Sequence, residues 1–305
     1  MADMWEAEYA VDSEWAKRLI EGQFPDLAAA RLRPVGEGFD NTAYLVNDAY
    51  LFRFPRRSLA VPLLETECRL LPDLAAIGLP LAIPRPVRFG QPAGDYPWPF
   101  AGYPFIAGAL AEEIERPDWE ASARKAGRFL RMLHDYPVDR ARALGAADDA
   151  IARLDYEGRM AALERNLAEA EEKRLWQGRA SVNALIAELR ETAGLSEEPT
   201  VLVHGDLHVR NVLLGGDGVL TAVVDWGDAH IGSPAVDLSF AYGCLPPACR
   251  SAFFAIYGAV SRRTGLLARY RAVFTYLYLL LYGHDRSQPR LAATAERCLD
   301  HALAE

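Results

Sequence analysis

The chain has 305 residues, 51% hydrophobic and 25% charged, enough for one large or two modest domains with cores of their own. Acidic residues outnumber basic ones 42 to 33, a net charge of -9, so nucleic acid, which needs a basic surface, is not an expected partner. The four cysteines (Cys68, Cys244, Cys249, Cys298) lack zinc-ligand spacing and disulfide density, the N-terminus shows no signal-peptide pattern, and no apolar run is long enough to span a bilayer. A cytoplasmic protein with free thiols and no membrane partner is expected.

Residues 12–22 read as an amphipathic helix with Asp12 or Ser13 as its cap. Residues 32–35, 43–46 and 50–54 read as three strands of a meander, joined by the glycine turn 36–42 and by Asn47-Asp48. Glycines let backbone N–H groups approach a phosphate. Gly36 and Gly38, with Asn41 and Thr42 as side-chain donors, are therefore candidate phosphate ligands, the alternative being an ordinary hairpin. Pro62 stands where a helix begins, and residues 63–76 keep helical spacing. That helix carries Glu65 and Glu67, either of which is placed to pair with Arg53 and fix a cation over nucleotide phosphates. None of the three lysines (Lys17, Lys125, Lys173) lies near the meander, which leaves Arg53, ahead of Arg56 and Arg57. Residues 84–90 read as another strand. Residues 102–106, with Tyr103 and Phe105, read as the last strand of a small lobe and a connector whose backbone groups suit a nucleotide base.

The remainder is largely helical. Residues 118–134 form one helix, with His134 as a structural residue at its end. An acid-rich insert over 146–200 holds helices at 156–176 and 181–193 and reads as a solvated surface with i,i+4 pairs such as Glu169–Lys173. Further helices are expected at 247–264, 266–282 and 289–303, with Tyr276, Tyr278 and Tyr282 in the core.

The most informative stretch is His204 to Asn211, followed by Asp225-Trp226-Gly227-Asp228 beyond the turn Gly215-Gly216-Asp217-Gly218. Closing that hairpin brings Asp206, Asn211 and Asp225 to one point. Two carboxylates and an amide oxygen suit a Mg²⁺ ion with a proton acceptor beside it, which is what phosphoryl transfer requires. Asp206 is the candidate base, with Asn211 and Asp225 as metal ligands. Asp237, amid apolar neighbours, is assigned to bracing the loop, and His204 and His208 to shaping it. Asp228 is a candidate contact for an amine-bearing acceptor, or a turn cap.

The motifs HGDLHVRN (204–211) and DWG (225–227), with Asp237, GEGFDNT (36–42) and FRFPRR (52–57), resemble the aminoglycoside phosphotransferase family, relatives of protein kinases that include macrolide phosphotransferases. The resemblance implies an α+β, bilobal, protein-kinase-like fold. A small β-rich lobe over 1–106 would bind nucleotide phosphates, and a helical lobe over 107–305 would hold the catalytic loop and substrate cleft. It also implies Asp206 as base, Asn211 and Asp225 as Mg²⁺ ligands, and Glu67 as the partner of Arg53, a position where the family often has lysine. ATP is the implied donor, with GTP as the alternative. The acceptor is a small-molecule hydroxyl, on an aminoglycoside, a macrolide or a metabolite such as choline, homoserine or a sugar; a monomer or weak homodimer is expected. Only eleven residues separate Asp225 from Asp237, which leaves no room for a peptide-docking activation segment and disfavours a protein kinase. The other histidines are too scattered for a metallophosphatase, and a non-catalytic nucleotide-binding module would not need all three site groups.

Overall fold

The computed structural model describes residues 7–37, 40–193 and 199–304. The chain divides into two compact units, one taking in Met1–Gly78 and Ile83–Ala107, the other Leu79–Ala82 and Gly108–Glu305.

In the first unit, helix α1 (Ser13–Gln23) starts where the Asp12 side chain accepts a hydrogen bond from Trp15 N at 2.7 Å. The cap satisfies one of the donors that a helix start leaves open. Strands β1 (Leu32–Glu37), β2 (Asn41–Val46) and β3 (Tyr50–Pro55) form the meander; helix α2 (Ala60–Ala76) follows, then β4 (Arg88–Gly90) and β5 (Phe100–Pro104). The five strands make one antiparallel sheet in the order β1-β2-β3-β5-β4. Asn47 and Asp48 both sit at φ 53°, the left-handed region that short polar side chains tolerate, and so close the β2–β3 turn.

Sheet residues Tyr44, Val46, Phe52, Phe54 and Phe100 bury against Ala16, Leu19 and Ile20 of α1 and against Tyr96. Phe54 and Phe100 stack with ring centroids 4.7 Å apart, and the Tyr96 hydroxyl donates to Pro55 O at 2.9 Å. Helix α2 packs on β3 and β5. The strand expected over 84–90 is confined to Arg88–Gly90, because Pro84 and Pro86 have no N–H to give a ladder. Asn41 and Thr42, expected in a turn, are part of β2, opposite Pro55 and Phe54, and Thr42 is buried. Gly36 belongs to β1 and faces Ala43 beyond a bulge at Pro34–Gly36.

The second unit begins with α3 (Trp119–His134), capped by Asp118, followed by α4 (Val138–Ala143), α5 (Met160–Glu172) and α6 (Arg179–Glu191). Four short strands come next: β6 (Val201–Val203), β7 (Val212–Leu214), β8 (Leu220–Val223) and β9 (His230–Gly232), pairing β6 with β9 and β7 with β8. Helices α7 (Ala235–Gly243), α8 (Arg250–Tyr257), α9 (Arg262–Asp285) and α10 (Pro289–Leu303) complete it. Helix α9 is apolar around most of its circumference and packs on α5, α6, α7 and α10, as a central helix must. The single helix expected over 247–264 is interrupted: α8 stops at Gly258, φ +108°, and Ser261 opens α9 by accepting Thr264 N–H at 2.9 Å. Tyr276 is buried, but Tyr278 is 46% exposed and stacks on Tyr282, so the three tyrosines do not share the core. The Glu169–Lys173 pair forms at 2.6 Å. All four cysteines are free thiols, and no described helix is long and apolar enough to cross a membrane.

Candidate active site

The β7–β8 hairpin turns through Gly215–Val219, with Gly215 N donating to Val219 O at 2.9 Å and Gly218 at φ +77°. Its open end sets the site. Val224 N donates to Asn211 O at 2.9 Å, extending the ladder past β8, so Asn211 and Asp225 leave the hairpin side by side. Asp225 sits at φ 62°, which turns the chain sharply away from the strand line and leaves the residue exposed. The Asn211 amide nitrogen donates to Asp206 O at 2.8 Å and to its Oδ2 at 3.3 Å. Both partners are acceptors, which fixes the amide orientation and leaves Asn211 Oδ1 for a cation.

The Asp206 carboxylate has three cationic or donor neighbours. His208 Nε2 lies 3.2 Å from Oδ2, Arg271 Nη2 lies 3.5 Å from Oδ1, and the Asn211 amide lies 3.3 Å from Oδ2. Burial opposes ionisation, but His208 and Arg271 outweigh it and hold the carboxyl well below the ordinary aspartate range. His208 is itself oriented, its Nδ1 accepting Arg210 N–H at 3.2 Å.

Asp237 is fully buried at the second position past the start of α7. It accepts His204 N–H at 2.7 Å and Gly205 N–H at 3.0 Å, and faces His134 Nε2 at 3.3 Å; His134 Nδ1 is bonded to Tyr257 OH at 2.8 Å. Burial works against its charge, yet the His134 hydrogen bond and charge hold its pKa below the usual value. Gly205 sits at φ +89°, and a Cβ there would come 2.1 Å from Asp228 O. His204 Nε2 donates to Val224 O at 3.0 Å while its Nδ1 accepts Asp206 N–H at 3.3 Å, and its ring packs edge-on to buried Trp226. The loop is thus clamped on both sides of Asp206.

The Asp228 side chain is half exposed, and its Oδ1 is bonded to Arg153, which also binds Asp149 Oδ1 at 2.6 Å. Burial and the nearby Asp206 charge raise the Asp228 pKa, and Arg153 works the other way. Sequence reasoning missed Arg153 and Arg271, which lie 53 and 65 residues from Asp206 in the chain. The available signal for Arg271 was slight: it is one of two arginines, with Arg269, in the helical run Ala268 to Val273.

In the first unit, Arg53 on β3 binds Glu67 on α2 through Nη1, at 2.9 Å to Oε2 and 3.2 Å to Oε1. The Glu67 side chain is 2% exposed and that of Arg53 14%, so the carboxylate depends on its cation. The Tyr103 side chain is buried beside this pair, and burial raises its pKa. Phe105 is exposed, with its N–H on Ala49 O at 2.8 Å. Gly38 lies outside the described residues.

Among the described residues no three His, Cys, Asp or Glu side chains gather as a metal-binding group. A magnesium ion bound through phosphate oxygens and water needs only one or two oxygen ligands from the protein, and Asn211 Oδ1 and the Asp225 carboxylate could supply them.

Comparison with curated proteins returned no match. Among solved structures, the chain is similar to the GDP and kanamycin complex of APH(2")-IIia, at 24% identity over 94% of this chain and 97% of that one, TM-score 0.66. It is also similar to the streptomycin-ATP-APH(2")-IIa ternary complex (20% identity, 96% and 97% covered, TM-score 0.59). A third is the macrolide 2'-phosphotransferase MphH from Brachybacterium faecium (23%, 89% and 92%, TM-score 0.56). These likenesses show the fold, an α+β, protein-kinase-like one. The profile of the "Phosphotransferase enzyme family" matches residues 31–273. With the match covering most of its length, the chain belongs to the phosphotransferase enzyme family.

Proposed function

We propose that the protein transfers the γ-phosphoryl group of ATP, with GTP as a second donor to test, to a hydroxyl of a small molecule. The observation that carries this reading is the convergence of Asp206, Asn211 and Asp225 at the open end of one hairpin, with Asp206 held ionised. Asp206 orients the acceptor hydroxyl and takes its proton as the oxygen bonds to the γ-phosphorus and the bond to the nucleoside diphosphate breaks. A carboxylate with so low a pKa is a weak base. It suits a loose transition state, in which the hydroxyl becomes acidic only late. Magnesium, held by Asn211 and Asp225, would neutralise phosphate charge. In the first unit, Arg53, oriented by Glu67, and the N–H groups around Gly36 and Gly38 are the proposed phosphate contacts, with Asn41 as a further donor and the backbone at Tyr103 and Phe105 for the base.

The relatives' names supply an acceptor panel: kanamycin and streptomycin, a macrolide, and beside them choline, homoserine and simple sugars. Nucleoside diphosphate release is followed with each acceptor, with magnesium and with chelator. Acceptor-dependent, magnesium-dependent release supports the reading. Nucleotide that binds but is never turned over with any acceptor would favour a binding module instead.

A further inference from the structure

Arg271 is a cation beside the Asp206 carboxylate with bonding capacity to spare. It projects from α9, its side chain is 11% exposed, and its only hydrogen bond or ion pair among the described residues is the 3.5 Å contact to Asp206 Oδ1. A guanidinium has five N–H donors. One of those donors is engaged by Asp206, and the side chain keeps 11% exposure beside that carboxylate. Two more arginines stand close enough to act on its charge. Arg153 is neutralised by Asp149 and Asp228. Arg159 has no carboxylate partner among the described residues: it is held by the carbonyls of Ala152 and Ile151 and lies 5.4 Å from the Phe274 ring centroid. Burial, and then Arg153 and Arg159, pull the Arg271 pKa down, while Asp206 pulls it up; arginine stays cationic throughout.

The charge pattern bears on the acceptor. Arg153 is shared between Asp149 and Asp228, whereas Arg271 has only the 3.5 Å contact to Asp206 among the described residues, so Arg271 is the cation there with donors left for an anionic group. The Arg271 contact to Asp206 is longer, at 3.5 Å, than the 3.2 Å approach of His208 to the same carboxylate.

We propose that Arg271 is a specificity-determining residue that binds an anionic group, a carboxylate or a phosphate ester, on the acceptor within a few bonds of the hydroxyl that is phosphorylated. This rests on Asp206 being the group at that hydroxyl. A carboxylate on the adjacent carbon would reach Arg271 through two N–H groups while its hydroxyl faces Asp206, the paired geometry in which a guanidinium is most selective.

The test uses a size-matched acceptor set: glycerate and glycerol 3-phosphate as anions, glycerol as the neutral compound, and 2-amino-1,3-propanediol as the cation, with kanamycin as a larger cation. Binding to the wild-type enzyme is read by thermal shift in the presence of magnesium and nucleoside diphosphate, and turnover by diphosphate release. The anions are expected to stabilise and be turned over in preference to the rest, the two anions separating carboxylate from phosphate. In Arg271→Gln their KM is expected to rise about 30-fold or more with a smaller change in kcat, and Arg271→Lys to restore part of it. If amine-bearing or neutral acceptors are used and the anions are inert, the inference is overturned while the phosphotransferase reading stands. An Arg271→Gln effect on kcat alone, equal for every acceptor, would likewise overturn it in favour of a positioning role. Should nothing be turned over, anion stabilisation that is absent, or no weaker in Arg271→Gln or Arg271→Lys than in wild type, overturns the inference by itself; lost turnover with anion binding intact counts against the catalytic reading instead.

Discussion

The Glu67 carboxylate is held by a cation from another element of its own unit. Glu67 is almost fully buried and is bound by Arg53 across from β3. Removing the cation takes the paired charge from a buried carboxylate, a change that costs about 3–5 kcal/mol. Arg53→Met is therefore expected to lower the urea midpoint markedly, Arg53→Lys to lower it less, and Arg53→Met combined with Glu67→Leu to recover much of the loss. Equal stability of Arg53→Met and wild type would show that Glu67 has another adequate partner. The identity of this cation was legible because the chain has so few lysines and none near the meander. Arg271 was not legible: an arginine on an apolar helix gives no indication of which loop it meets, and only packing of α9 brings it to Asp206.

At the scale of elements, the catalytic loop is held by Asp237, which reaches from α7 to the two N–H groups just before Asp206. Asp237→Ala would leave those donors and His134 buried without an acceptor. A loss of about 3–5 kcal/mol in unfolding free energy is expected, measured by urea denaturation. Loss below about 1 kcal/mol would mean that water replaces the carboxylate easily. Gly205→Ala is expected to be as damaging for a different reason, since its Cβ would collide with main-chain oxygen at a positive φ. The hairpin and the loop were readable because turn glycines and Asp, Asn spacing are local. The meander was readable too, but its turn was drawn too wide: the bulge at Pro34–Gly36 lets β1 run on, and pairing continues through Asn41 and Thr42. The break at Gly258 was missed because apolar periodicity runs through it, and only the cap at Ser261 marks the new helix.

For the whole molecule, acid sensitivity follows from burial. Burial lowers the pKa values of His230 and His301 from 6.5. Below about pH 6.5 the unfolded chain binds protons that the folded chain does not, so stability falls as pH drops through that value towards the folded pKa values. Asp206 and Asp237 have lowered pKa values against a reference of 3.8, so their contribution is complete above that pH and is lost as pH falls further, through the folded values. Urea midpoints measured from pH 7.5 to 3 should fall in two stages. A midpoint that stays constant between pH 7.5 and 5 would contradict the burial of both histidines in their neutral form.

The central claim, that Asp206 handles the acceptor hydroxyl at a metal site formed by Asn211 and Asp225, is tested most directly by Asp206→Asn. The amide is close in size and keeps the loop's main-chain bonds. With the best acceptor, kcat is expected to fall by about 10²–10⁴-fold, with magnesium-dependent nucleotide binding retained within a few-fold. Full turnover in Asp206→Asn would contradict the account.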